Sequence, residues 1–454
     1  MPYISLNPAT NKILQTYASW EIARLEEALE HAHRAQQAWR KTALEHRARV
    51  LGHAATILRG QRDDYAALIT REMGKPLAEA RVEVEKCALA CDYYALNGAR
   101  FLADETIESD AGRSYVAYQP LGTLLAVMPW NFPFWQVFRA AAPALMAGNA
   151  VVLKHASNVP QCAQAIEAIF RQSELPAHVF TTLLIDATHV AQAIADPRVH
   201  AVTLTGSEEA GQAVAAEAGR NLKKCVLELG GSDAFVVLHD ADLEHTADMA
   251  VTARFFNCGQ SCISAKRFVL VPGIAEEFLG LFREKVAALT LGDPMDEATQ
   301  IGPMARLDLR QQLHLQVEDA LHHGAKAVLG CRPMKGAGAF YEPSILDHVT
   351  PRTRAYREEL FGPVATVIRA HNEQDAIRIA NDTKYGLGAS LWSLDQERAE
   401  RLAPEIQAGC CFVNGVVKSD PRLPFGGIKA SGFGRELSHH GIREFVNAKT
   451  VWVR

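Results

Sequence analysis

Thr123-Leu124-Leu125-Ala126-Val127-Met128-Pro129-Trp130-Asn131-Phe132-Pro133 joins an uncharged run to a stiff polar and aromatic loop. A run of this kind, without polar alternation, reads as a strand buried on both faces, the habit of parallel sheets. The loop ends it, and a helix is expected from Phe138 to Met146. Gly148-Asn149 then leads into a second strand, Ala150-Val151-Val152-Leu153, which stops at Lys154. The pattern repeats with Ala201-Val202-Thr203-Leu204-Thr205, then Gly206-Ser207 and a helix to about Gly219. Such alternation predicts an open α/β sheet with helices on both faces.

On the N-terminal side, residues 18–105 read as helices, with Ala23, Leu25, Ala28 and Leu29 at helical spacing. Gly74-Lys75-Pro76 interrupts them, and a long helix is expected from Leu77 to Phe101. Ser114 to Gln119 has strand propensity. On the C-terminal side a second α/β unit is expected. It has a helix capped by Asp242 and ending near Phe255, a strand over Arg267-Phe268-Val269-Leu270-Val271, and helices near 275–289, 308–323, 373–381 and 395–407. Further strands fall at Val364 to Ile368 and Cys411 to Asn414. The tail from Glu444 to Val453 alternates apolar and polar as an edge strand does, and a neighbouring subunit could supply its partner.

A chain of 454 residues exceeds the size at which one core stops growing, so two or three domains are expected. Apolar content of 48%, charged content of 22% and a net charge of -5 describe an ordinary soluble protein, with no footprint for nucleic acid or an anionic membrane. No apolar run reaches spanning length and the first residues lack a signal-peptide pattern, so a cytoplasmic location is expected. Nine cysteines, an odd and scattered set, argue for free thiols. None of the 17 histidines falls in a metal motif, and no metal site is expected. His31 and His33, His322-His323 and His439-His440 read as solvated helix-face residues.

Ligands of open α/β sheets bind beyond the carboxyl ends of the strands. Asn131, Lys154 and Gly206-Ser207 all stand there, and Gly206-Ser207 could present helix-terminal amides to a phosphate. Glu228 ends an apolar strand before Gly230-Gly231; desolvation there would make it a general base, and pairing with a lysine is the alternative. Cys262 lies in the loop Asn257-Cys258-Gly259-Gln260-Ser261-Cys262, between a helix and a strand. A loop thiol is a candidate nucleophile; a buried structural Cys is what composition alone would favour. Cys258 and Cys410-Cys411 read as core.

In order along the chain, Pro129-Trp130-Asn131-Phe132-Pro133, Glu228-Leu229-Gly230-Gly231, Gly259-Gln260-x-Cys262, Glu359-Leu360-Phe361-Gly362-Pro363 and Pro424-Phe425-Gly426-Gly427-Ile428-Lys429-x-Ser431-Gly432 resemble the NAD(P)-dependent aldehyde dehydrogenase superfamily. The likeness runs from Asn7-Pro8-Ala9-Thr10 to the last residue. Lys154-His155-Ala156-Ser157-Asn158, Glu228 to Asp233 and Phe433-Gly434-Arg435-Glu436-Leu437-Ser438-His439 look closest to compact bacterial succinate semialdehyde dehydrogenases. The resemblance implies an aldehyde dehydrogenase-like α/β fold: a Rossmann-type cofactor domain (1–109 and 121–231), a catalytic domain (232–430) and a small β oligomerisation arm (110–120 and 431–454), assembled as a homodimer or homotetramer.

It also implies roles. Cys262 matches the nucleophile, Glu228 the general base, and Asn131 the oxyanion donor together with the Cys262 backbone N–H. Met128, Pro129, Trp130, Lys154, Ser157, Gly206, Ser207, Leu229, Glu359 and Phe361 match positions that hold NAD or NADP, and Arg139 and Ser261 match substrate-binding positions. Two positions depart from the pattern. Ser157, three residues beyond Lys154, stands where many NAD-preferring members carry a Glu that repels a 2′-phosphate. Phe256, six residues before Cys262, stands where larger succinate semialdehyde dehydrogenases carry a carboxylate-binding Arg; Arg254, Lys418, Ser419 and Arg422 are candidate substitutes. The expected reaction is oxidation of succinate semialdehyde to succinate, the alternatives being another short or medium-chain aldehyde such as glutarate semialdehyde, or a catalytically silent relative.

Overall fold

The computed structural model describes residues 3–454; Met1 and Pro2, which belong to the expected N-terminal segment, lie outside it. The chain opens with an antiparallel hairpin, β1 (Tyr3–Asn7) and β2 (Lys12–Tyr17), over residues in which the sequence suggested no strand. Four helices follow, Ile22–Trp39, Leu44–Gly60, Arg62–Met73 and Leu77–Phe101. Gly74 ends the third in the left-handed region, at φ 88°, as the Gly-Lys-Pro break suggested. Then come β3 (Glu105–Thr106) and β4 (Arg113–Pro120).

The expected alternation begins at β5 (Thr123–Met128) and continues through β6 (Ala150–His155), β7 (Phe180–Thr182), β8 (Val199–Thr205) and β9 (Lys224–Glu228). These strands are parallel, in the spatial order β9-β8-β5-β6-β7. Side chains alternate as a doubly covered sheet demands: Leu124, Ala126 and Met128 enter one core, while Leu125 enters another on the opposite face with Val152, Val202 and Leu204. The helix expected from Phe138 spans Trp135–Ala147 and is buried throughout. It starts earlier because Glu83, far away in sequence, accepts hydrogen bonds from Phe134 N (2.8 Å) and Trp135 N (3.0 Å), satisfying orphan donors of its first turn.

A second sheet holds β10 (Asp233–Val237), β11 (Ala265–Leu270), β12 (Lys326–Leu329), β13 (Ser344–Asp347), β14 (Val364–Arg369), β15 (Gly388–Trp392) and β16 (Cys410–Val413), ordered β12-β13-β14-β11-β10-β15-β16. Only β12 runs antiparallel. Cys410 and Cys411 are half-buried instead of core, because β16 is the edge strand. The helix expected over 395–407 stops at Leu402, where Pro404 cannot continue it. Finally β17 (Gly432–Phe433) pairs with β9, and β18 (Val446–Val453) pairs with β4 along its whole length. The tail's partner is therefore in the same chain. β18 leaves its other edge open in the order β18-β4-β3.

The two large sheets meet end to end. Leu229 to Ser232 join the carboxyl end of β9 directly to the amino end of β10. The neighbour of β10 is β11, so the loop before β11, which carries Cys262, comes to the same place. Gly231 marks the approach: a Cβ there would lie 2.7 Å from the Cys262 carbonyl oxygen. Gly231→Ala is expected to fold with wild-type circular dichroism but to lose about 10²-fold in kcat, the usual cost of displacing a reacting group by about 1 Å. Wild-type kcat in that variant would show that the connector does not position the thiol.

Candidate active site

Cys262 emerges half-buried from a strained loop. The helix Leu243–Phe255, capped by Asp242 at His245 N, runs into the turn Phe256–Gly259, where Asn257 (φ 56°), Cys258 (φ 54°) and Gly259 (φ 68°) are all left-handed. Such backbone persists only where its surroundings over-determine it. Here Asn257 Nδ2 donates to Asn131 O (2.8 Å) and Gln260 O (3.0 Å), and Asn257 N donates to Glu79 (2.7 Å). A side chain at Gly259 would meet Gly362 O at 2.3 Å. Cys258 is fully buried, its thiol against Gly302 O, so it is core as expected.

Cys262, Ser261 and Arg139 line one cavity of about 210 Å³ with Phe132, Trp135, Phe256, Phe425 and the loop Val416–Ser419. Asn131 is buried beside it and donates one amide hydrogen to Gln260 O (3.1 Å), which leaves its second N–H free. Burial pushes the Cys262 thiol up to about 12, against the pull of Lys266 and Arg139. Glu228 is buried at the end of β9, and its carboxyl is pushed well above the usual range by burial and by Glu436, with Arg139 opposing. Neither Glu228 oxygen has a hydrogen-bond partner among the described residues, and no lysine pairs with it. The carboxyl packs against Gly426, where a Cβ would come within 2.7 Å of Oε1. Burial thus disfavours the charged form of both the thiol and the carboxyl.

The positions matched to a cofactor line the carboxyl ends of the first sheet. Met128 ends β5 and Pro129-Trp130 follow it, Lys154 is the penultimate residue of β6, and Gly206-Ser207 follow β8, with Ser207 capping the helix Glu208–Arg220. β5 pairs with β6 on one side and β8 on the other, so this is the point where the strand order reverses, the customary crevice of such sheets. Trp130 stands edge-on to Phe361 at 5.7 Å. Leu229 packs on Gly211 of the helix after Ser207. Lys154 is half-buried, and burial lowers its pKa, opposed by Asp186. The donors and the aromatic pair fit a dinucleotide. Ser157 is exposed on a separate cavity of about 480 Å³ with Asn158 and Arg306.

Glu359 bridges the two halves. Its Oε1 accepts from Gly231 N (3.2 Å) and pairs with the buried Lys266 ammonium at 3.0 Å. The same ammonium donates to the carbonyls of Ser261 (2.7 Å) and Cys262 (2.6 Å). The sequence reading passed over Lys266. Its one signal is a charge placed at the start of a strand that is otherwise apolar apart from Arg267.

Among the candidate carboxylate ligands, Arg254 is corrected: it is fully buried and donates to Leu360 O at 2.9 Å and to Gly362 O, so its fork holds backbone and does not reach the cavity. Arg422 is exposed and paired with Asp420. Arg139 does line the cavity, 2% exposed, with Phe425 over its guanidinium, but its charge is countered by a direct ion pair with Glu436. Phe256 stacks on Phe132 at 6.0 Å as an apolar wall. Lys86 also lines the cavity and was missed, since directly after Glu85 in an otherwise helical run it reads as a solvated charge. The signal was its spacing: it lies three residues after Glu83 and four before Ala90, both buried, on the flank of the buried face.

The family model for aldehyde dehydrogenases matches residues 2–451. A probable succinate-semialdehyde dehydrogenase [NADP(+)] of Synechocystis sp. is 49% identical over 453 residues, covering 100% of both chains. The succinate semialdehyde dehydrogenase [NAD(P)+] of Escherichia coli is 48% identical over 449 residues, 99% of this chain and 97% of that one. The structure of succinic semialdehyde dehydrogenase from Streptococcus pyogenes in complex with NADP+ superposes with a TM-score of 0.97 at 41% identity, over 99% of each chain.

A thiol raised by burial must be deprotonated before it reacts, so its reactivity should climb with pH. Alkylation of Cys262 by iodoacetamide, followed by peptide mass spectrometry, is expected to accelerate about tenfold per pH unit between about pH 7 and 10 without a plateau. A plateau reached below about pH 8 would mean that the resting form is already the thiolate.

Proposed function

The chain belongs to the aldehyde dehydrogenase family, and from that premise we propose that it oxidises succinate semialdehyde to succinate with NAD or NADP. The observation that carries the substrate is the cavity at Cys262: small, walled by Phe132, Phe256 and Phe425, yet holding the cations Arg139 and Lys86. An aldehyde with a short apolar middle and an anionic end fits that lining. The relatives named for this substrate at 48–49% identity over nearly the whole chain support the same reading.

The chemistry follows from the residues. Cys262 sulfur, once its proton is taken, attacks the aldehyde carbon, and the carbonyl oxygen becomes an oxyanion. The free N–H of Asn131 and the Cys262 backbone N–H hold that charge; one such donor is typically worth about 10²–10³ in rate. Held along the residues given below, NAD or NADP would supply the acceptor for the hydride on the carbon bound to Cys262 sulfur. The resulting thioester is cleaved by water: Glu228 takes the water's proton, the oxygen bonds to the carbonyl carbon, and the C–S bond breaks to release carboxylate and thiol. The raised carboxyl of Glu228 must first lose its own proton, so turnover rises with pH as that group and Cys262 ionise.

The cofactor would lie along Met128-Pro129-Trp130, Lys154, Gly206-Ser207, Leu229, Glu359 and Phe361. Arg139 and Ser261 would face the substrate. The three-part division expected from the sequence belongs to this reading, supported by the two large sheets and the separate strands β3, β4 and β18. Assembly as a homodimer or homotetramer is supported by the open edge of β18, where Trp452 and Val453 are about half exposed. A cytoplasmic setting is supported by nine free thiols. No described helix is long and apolar enough to cross a membrane.

Steady-state kinetics with succinate semialdehyde and with butanal, its uncharged counterpart, test the substrate. The ratio of kcat/KM is expected to favour succinate semialdehyde by about 10²-fold or more, as charge-assisted contacts worth about 1.5–3 kcal/mol each require. Equal ratios would remove the carboxylate site and leave the dehydrogenase chemistry. For the cofactor, Ser157→Glu is expected to raise KM for NADP by about tenfold or more while sparing NAD, since it places a charge against a 2′-phosphate. An unchanged NADP KM would place the 2′-phosphate elsewhere.

A further inference from the structure

The Phe256 departure leaves the substrate carboxylate short of a partner, and the ion pair with Glu436 halves what Arg139 can offer. We propose that Lys86, anchored on Ser419, is a further specificity-determining residue that holds the carboxylate of the aldehyde in the Cys262 cavity. The proposal rests on the succinate semialdehyde reading and names the residues that would carry it.

Lys86 projects from the helix Leu77–Phe101 into the cavity. Its ammonium lies over the Trp135 ring at 4.2 Å, and its one hydrogen bond among the described residues goes to Ser419 Oγ at 2.7 Å. Trp135 Nε1 donates to the same oxygen at 3.0 Å. Both lone pairs of the hydroxyl are therefore occupied, so its O–H can only donate outward. Two ammonium hydrogens and one hydroxyl hydrogen are left for an acceptor, and Ser419 is only 5% exposed. Three converging donors in a partly desolvated, aromatic-walled recess are the donor set of a carboxylate.

The surrounding charges are already spent. Glu83, three residues before Lys86, is held by the Lys75 ammonium and by Phe134 N and Trp135 N. Arg139 faces Glu436, and Asp420 faces Arg422. Lys418 lines the rim but is exposed. Lys86 is thus the partly buried cation of the cavity without a carboxylate among the described residues. Burial, then Arg139, push its pKa down to about 8, with Cys87, Glu83 and Asp420 opposing. A carboxylate bound there would restore the charge balance, and raising pH through about 8 would remove the hold on it.

The test uses the ratio of kcat/KM for succinate semialdehyde to that for butanal, which cancels the ionisation of Cys262 and Glu228. In the wild type this ratio should fall as pH rises through about 8. In Lys86→Met it should fall about 10–10²-fold at about pH 7, chiefly through KM for succinate semialdehyde. In Lys86→Arg most of it should return, with the pH limb gone, because guanidinium does not deprotonate in this range. A Lys86→Met ratio equal to wild type, or a wild-type ratio flat across pH, overturns the proposal. A wild type without preference for succinate semialdehyde would instead overturn the substrate reading itself, so the two failures are distinguishable. Should Lys86→Met fail to fold, the wild-type and Lys86→Arg pH profiles decide alone.

Discussion

The connection from β9 to β10 is the constraint on which the rest of the molecule depends. Leu229 to Ser232 are too few to do anything but carry the chain straight from the carboxyl end of one sheet to the amino end of the other. They are fixed at both ends: Leu229 N donates to Ser431 O at 3.0 Å, and Ser431 Oγ donates to Gly230 O at 2.7 Å. The crevice that open α/β sheets keep beyond their strand ends is thereby closed by the nucleophile loop of a second sheet. Most of the positions proposed for the dinucleotide come from one sheet, and Glu359, Phe361 and the Cys262 thiol come from the other. Gly230 and Gly231 are required by the contact, since Cβ atoms there would meet Glu359 Oε2 at 2.5 Å and Cys262 O at 2.7 Å.

A loop buried between two sheets has backbone carbonyls that water cannot reach, and these need donors. Three buried cations, Arg254 and the adjacent Lys266 and Arg267, supply such donors. Arg254 serves Leu360 O and Gly362 O, Lys266 serves Ser261 O and Cys262 O, and Arg267 serves Ser232 O, Ile379 O and Ala380 O. Burial lowers the Arg254 and Arg267 pKa values to about 9 and about 10, a sign of how little water they see. One carboxylate, Glu359, answers Lys266 directly, and a second, Asp233, is pushed up to about 7 by its own burial. Charged side chains here do the work that regular hydrogen-bond ladders do elsewhere, which is why a strained turn can carry the nucleophile.

The alternation around Thr123 to Met128 made the first sheet readable because each strand there is local in sequence and buried on both faces. The motifs Pro129 to Pro133, Glu228 to Gly231 and Gly259 to Cys262 made the proposed catalytic trio readable for a different reason: the proposed chemistry would fix their residue types. What was hidden depended on partners distant in sequence. Glu83 starts a helix some fifty positions away, β4 takes up the C-terminal strand, and Arg254 turns into the backbone despite its position eight residues before Cys262. Lys86 shows the same limit. On a helix, charge type alone cannot distinguish a residue facing solvent from one facing a cavity; the neighbours' burial can.

The resting electrostatics fit the order of the chemistry. Burial raises both the Cys262 thiol and the Glu228 carboxyl, Arg139 is paired with Glu436, and Lys86 lines the same cavity without a carboxylate. An anionic aldehyde entering such a site meets attraction at its carboxylate end and no negative charge at its reacting end. Had Cys262 rested as thiolate, it would have repelled the same substrate and stood open to oxidation. The burial that raises Cys262 and Glu228 is the same burial that the end-to-end joining of the sheets imposes, so the fold and the electrostatics of the site have one physical origin.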